Sequence, residues 1–193
     1  MQHWAPSALW GAALWQIGAE RNRRHGREEQ EAEERHLAQA RRIAAVLGPE
    51  ERPAKGQPDI LGRTGIDLIN SSPEPVYRLV VAIVDIQGAG TARTIEGWLE
   101  YRDRERETYR PGLASAPITT VSILPGGTCR AWINGVWGGG LGVRHGAEVA
   151  FTDRAGSHWV RRATGQLEEL AADPITHYLG AGPHDLGVPD RLP

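Results

Sequence analysis

The chain has 193 residues, 40% of them apolar and 24% charged, with 24 glycines and 13 prolines, a make-up that suits one folded domain with appendages. It excludes collagen and wholesale disorder, and a single cysteine, Cys129, excludes a disulfide scaffold. A formal charge of −2 supplies no global field for nucleic acid, so no nucleic-acid role is expected.

Residues 1–19 form an apolar segment with Trp4, Trp10 and Trp15 and no charge before Glu20. About 15 helical residues rise only about 22 Å, short of a hydrocarbon core of about 30 Å. Arg21, Arg23, Arg24 and Arg27 follow, as basic residues do on the cytoplasmic flank of a membrane segment. Trp10, Trp15, Arg21, Arg23 and Arg24 are therefore candidate membrane-proximal residues, against the alternative that the segment packs on the folded domain or on a sister helix. On the first reading the rest of the chain lies in the cytoplasm, at the inner face of the membrane.

Residues 20–48 are rich in Ala, Glu, Gln and Arg and free of proline, which predicts a long charged helix. Glu20 with Arg24 and Glu31 with Arg35 are favourable i,i+4 pairs. Leu37, Ala40, Ile43, Ala44 and Leu47 make an apolar stripe, and Gly48-Pro49 is a stop signal. The stripe is too short for a coiled coil, though self-association through this helix stays open. Residues 49–64 hold three prolines and read as a linker.

Residues 65–170 read as short strands closed by Gly, Pro or Asn. Val76 to Ile86 is apolar on both faces and should be central. Ile118 to Leu124 and Thr128 to Ile133 follow, the latter entering Asn134-Gly135, a hairpin signal. Ala147 to Thr152 and His158 to Arg162 form a second hairpin, with Val149, Phe151 and Trp159 as core. The whole predicts a mainly β protein with a long N-terminal α-helix and an immunoglobulin-like antiparallel β-sandwich. Residues 94–108 place Ile95, Trp98 and Leu99 at helical spacing, but Gly97 and like-charge i,i+4 pairs oppose a helix, so helix and exposed excursion both stand. The tail, 171–193, is expected to be irregular.

Chemical motifs are sparse. Gly88-Ala89-Gly90 after a strand imitates a dinucleotide-binding turn, but Arg93 stands where a third glycine is needed. A nucleotide-binding or enzymatic domain built on that loop is the alternative reading. The histidines match no short metal-ligand spacing, and no nucleophile elbow or paired catalytic carboxylates can be read, so neither metal nor cofactor is expected. Cys129 alternates with Ala131 and Ile133, as a buried inert thiol would. Trp132 and Trp137 near a glycine-rich loop, and Arg154, Trp159 and Arg161, which with Arg162 make a guanidinium–indole group, are the candidate interaction residues, against the alternative that the group staples its own hairpin.

Phe151-Thr152-Asp153-x-x-Gly156-x-x-Trp159-x-Arg161 with Gly165-x-Leu167, together with Asn70-Ser71-Ser72 and Pro75-Val76-Tyr77, resembles a group of uncharacterised actinobacterial proteins over roughly residues 15–170. The resemblance implies an apolar or membrane segment, a helical stalk and a small β domain, with Trp159 and Arg161 as fold-defining positions. Together these readings point to a non-enzymatic interaction module with a protein partner.

Overall fold

The computed structural model describes residue 34 and residues 37–52, 62–87, 93–107, 117–135 and 142–193. The chain divides into two units, Met1–Ala38 and Gln39–Pro193. The second carries, in order, β1 (Ile43–Glu51), β2 (Arg63–Asn70), β3 (Val76–Gln87), α1 (Ile95–Glu107), β4 (Ile118–Leu124), β5 (Gly127–Asn134), β6 (Arg144–Thr152), β7 (His158–Arg161), β8 (Leu167–Glu169), α2 (Pro174–Leu179) and β9 (Asp190–Arg191). The fold is mainly β, with two antiparallel sheets. Sheet I has the order β1-β2-β5-β9 and sheet II the order β4-β3-β6-β7-β8.

Sheet II is built around β3, whose apolar run is buried from Leu79 to Val84, as a strand covered on both faces must be. Val80, Ala82 and Val84 join Ala150 and Val160 in a cluster with Ile95 of α1 and Ile175 and Tyr178 of α2. The helices therefore cover one face. The alternate residues Leu79, Val81 and Ile83 belong to the opposite face, where β1 lies against β6 and β7 and β4 meets β5. Sheet I turns Ile66, Leu68, Cys129, Ala131 and Ile133 inward.

The structure corrects several sequence expectations. The helix predicted over 20–48 does not reach its end: Arg41 and Arg42 form a turn and Ile43–Glu51 is a strand. Pairing with β2 overrides the helical propensity of this stretch. A side chain at Gly48 would come within 3.0 Å of Asp67 Oδ1 and 3.2 Å of the Gly65 carbonyl, so glycine there serves the close approach of β1 to β2 rather than a helix cap. The linker predicted over 49–64 is correspondingly shortened, because Glu50, Glu51, Arg63 and Thr64 are paired strand residues. Residues 20–33 of the expected helix lie outside the described residues. Asn134-Gly135 does not close a hairpin, since β5 belongs to sheet I and β6 to sheet II; Gly135, at φ 106°, instead donates its N–H to the Gly62 carbonyl. The 94–108 stretch resolves to a helix, α1. Ile95 is fully buried at its start, and the half-buried Trp98 and Leu99 pack on the same cluster. The expected irregular tail holds α2 and β9, and the domain extends beyond 65–170 at both ends. Among the described residues no helix is long and apolar enough to cross a membrane.

Candidate interaction face

On β5 the inward alternation of Cys129, Ala131 and Ile133 leaves Arg130 and Trp132 on the outer face of sheet I. Trp132 pairs across the ladder with Gly65, and Arg130 with Asp67. A side chain at Gly65 would meet Arg130 Cδ at 2.9 Å, so the arginine stem crosses this strand only because glycine is there. Arg130 grips Asp67 in a bidentate pair, Nε to Oδ1 at 2.6 Å and an Nη to Oδ2 at 3.0 Å. The hydrogen bond to Asp67 raises the guanidinium's affinity for its proton. Arg63, tied to Glu51 at 2.7 Å, sets its guanidinium 4.0 Å from the Trp132 ring centroid, with that of Arg130 at 5.7 Å. The indole N–H donates to Asp190 of β9 at 2.8 Å. The result is a half-buried tryptophan between two oriented guanidiniums on a solvent-facing sheet.

Two of the other candidates serve the fold's own packing. Trp159 is 3% exposed and donates its indole N–H to Asp153 Oδ2 at 2.9 Å. Arg161 directs its guanidinium at backbone carbonyls: Nε to Ile43 at 3.0 Å and its Nη groups to Ala40 at 3.0 Å and Gly165 at 2.9 Å. Arg154 is exposed and pairs with Glu74 at 2.6 Å, while its backbone N–H donates to the Gln39 side chain. Alternation along β7 turns Trp159 into the interior, while Arg154 and Arg161 are held by separate partners. Trp137, Trp10, Trp15, Arg21, Arg23, Arg24 and the Gly88-Ala89-Gly90 loop lie outside the described residues.

Two polar groupings were not visible as such in the sequence, although Arg162 itself was. Under α1, Arg162 binds Glu96 through both Nη groups at 2.8 and 3.1 Å, Glu168 at 2.8 and 3.0 Å, and Glu148 at 3.3 Å. Glu148, 1% exposed, accepts the N–H of Ile95 at 3.0 Å, and Tyr178 donates to Glu96 at 3.0 Å. Burial pushes the Glu148 carboxyl up against the opposing pull of Ile95 N–H and Arg162. For Glu96 burial acts the same way, but the Arg162 hydrogen bond and local backbone donors outweigh it and hold the carboxyl at about 2. The second cluster is a cross-strand pair in sheet II, where Asp85 Oδ1 lies 2.9 Å from His145 Nδ1. Glu148 and His145 interrupt apolar strands, and that interruption was the available signal. Cys129, 2% exposed, is pushed up by burial, as suits an inert thiol. Among the described residues no group of three His, Cys, Asp or Glu side chains is placed to hold a metal.

No family model, curated protein or solved structure matches the chain.

Proposed function

We propose that the chain is a non-enzymatic interaction module: an immunoglobulin-like β-sandwich that receives a protein partner on the outer face of sheet I. Residues 1–38 would serve as its tether to the cytoplasmic face of a membrane or to a helical partner. The strand order supports the architecture. On this reading β1, β2 and β5 correspond to strands A, B and E of an immunoglobulin-like sandwich and β3, β6 and β7 to C, F and G, with the fourth strand beside the third.

The observation that carries the function is Trp132 between Arg63 and Arg130. Tryptophan and arginine supply much of the binding energy at protein interfaces. Here Glu51, Asp67 and Asp190 hold these side chains in place before any partner arrives, which lowers the entropy lost on docking.

The test is affinity capture with the full chain, followed by titration of the captured protein against the parent and Trp132→Ala. The variant should bind at least about tenfold more weakly, with a melting temperature close to the parent's. Equal affinities for the two chains would sink the proposal.

A further inference from the structure

The last eight residues before Pro193 form a strap over two sheet edges. Gly187 sits beside Val121 in a parallel bridge, donating its N–H to Thr120 O at 3.1 Å and accepting from Ser122 N at 2.9 Å. Thr120 Oγ1 also donates to the Asp185 carbonyl at 2.8 Å. The chain then crosses to sheet I, where Asp190 and Arg191 pair with Arg130 and Cys129 and Leu192 donates its N–H to Thr128 O at 3.0 Å.

The attachment is by hydrogen bonds, those of the backbone joined by side-chain bonds from Thr120, Ser122 and Trp132, with little apolar burial. Leu186 touches the helix-side core, but Val188 is 81% exposed. Segments held by few buried apolar contacts open at low free-energy cost. The strap also follows a pivot: Gly180 at φ 85° ends α2, and Ala181, Gly182 and Pro183 are exposed.

We infer that this strap exchanges between two copies of the chain, each copy's residues 185–192 covering the β4 and β5 edges of the other. Strand addition to a bare edge is sequence-tolerant, but this edge is selective. A side chain at Gly187 would come within 3.1 Å of Thr120 O, so the edge favours an occupant with glycine there and, three residues later, an acid that accepts from the Trp132 indole. The strap meets both conditions, and a second copy carries an identical one. Exchange of an identical element makes the same contacts in both forms, so only the pivot and the cost of association separate them.

The native Cys129 allows a direct test. Cys129 and Arg191 face each other across β5 and β9 in a position between hydrogen-bonded pairs, where Cα atoms lie about 4.5 Å apart, within disulfide range. Full-length Arg191→Cys, incubated at increasing concentration and then oxidised with diamide, should give a disulfide-linked dimer. Links between Cys129 and the introduced thiol should map between chains, in a fraction that grows with concentration. Closure within single chains at every concentration, or a dimer joined only through the two copies of Cys129, overturns the inference. Sedimentation of the unsubstituted full chain gives a readout free of the substitution: a concentration-dependent dimer is expected, and a monomer throughout overturns it.

Discussion

The indole N–H of Trp159 is hydrogen-bonded to Asp153 Oδ2 at 2.9 Å, while the other carboxylate oxygen accepts from Ser157 N at 2.9 Å. One buried carboxylate thus shapes the β6–β7 turn and satisfies the tryptophan that packs beneath it. In the sequence motif around these residues, the acid and the indole are two ends of one structural contact.

Asp153→Ala leaves a buried indole N–H and a turn amide without their acceptor. The expected cost is about 2–3 kcal/mol, or a melting temperature lower by about 5–10 °C for a unit of this size. Asp153→Asn, which retains one acceptor oxygen, should lose less. Thermal denaturation followed by near-ultraviolet circular dichroism checks both, and equal losses would contradict the assignment.

Arg161 joins β7 to the entrance of β1 through the carbonyls of Ala40 and Ile43. Lysine has one ammonium where arginine has a planar fork, so Arg161→Lys cannot serve all three carbonyls. It should cost about 1–3 kcal/mol. The loss should be local, with hydrogen exchange accelerating at Ala44–Leu47 more than in β3.

At Gly65 the limit is steric. An added methyl meets Arg130 Cδ at 2.9 Å, and the arginine can move only by releasing Asp67 or shifting away from Trp132. Gly65→Ala should therefore weaken any partner's affinity for the Trp132 face while changing global stability by about 1 kcal/mol or less, because the contact is at the surface. Titration and a urea melt of the same protein separate the two effects.

Much of the β framework was legible because it rests on local pattern. The unbroken apolar run of β3 and the alternation of Val149 and Phe151 against Trp159 each identify a strand without tertiary information. β1 was not legible: Leu37, Ala40, Ile43, Ala44 and Leu47 fit a helix, and pairing with β2, about 20 positions later, is what extends the chain. The tail escaped for a related reason, since it is attached by hydrogen bonds to sheet edges far away in sequence. Trp132 was visible as a candidate, but its flanking arginine Arg63 was not, because it comes from a strand about 70 positions earlier. Trp159 and Arg161 were legible as fold-defining positions, and their contacts with Asp153 and with the carbonyls of Ala40 and Ile43 are of that kind.

The carboxylates around Arg162 should give stability a two-sided pH dependence. Glu96 is held at about 2, below its usual 4.5, so its contribution is present above about pH 4.5 and disappears as pH falls toward 2. At about 1.4 kcal/mol per decade of displaced proton affinity, and discounted for a side chain 37% exposed, this amounts to about 1–2 kcal/mol. Asp173, held at about 2 where the hydrogen bonds of Thr176 and Arg78 outweigh burial, loses its contribution over the same range. Glu148 has the opposite sign. Its carboxyl is raised, so its contribution is complete below about pH 4.5 and is lost as pH rises through the folded-state value. Urea midpoints measured from pH 2 to 8 should therefore fall on the acid side less steeply for Glu96→Gln than for the parent, with the Asp173 part remaining. Glu148→Gln should leave the acid limb intact and flatten the decline above about pH 4.5, since Gln keeps an oxygen for Ile95 N–H while Arg162 retains Glu96 and Glu168. Parallel pH profiles for parent and both variants would mean that this network does not couple α1 to the sheet through charge.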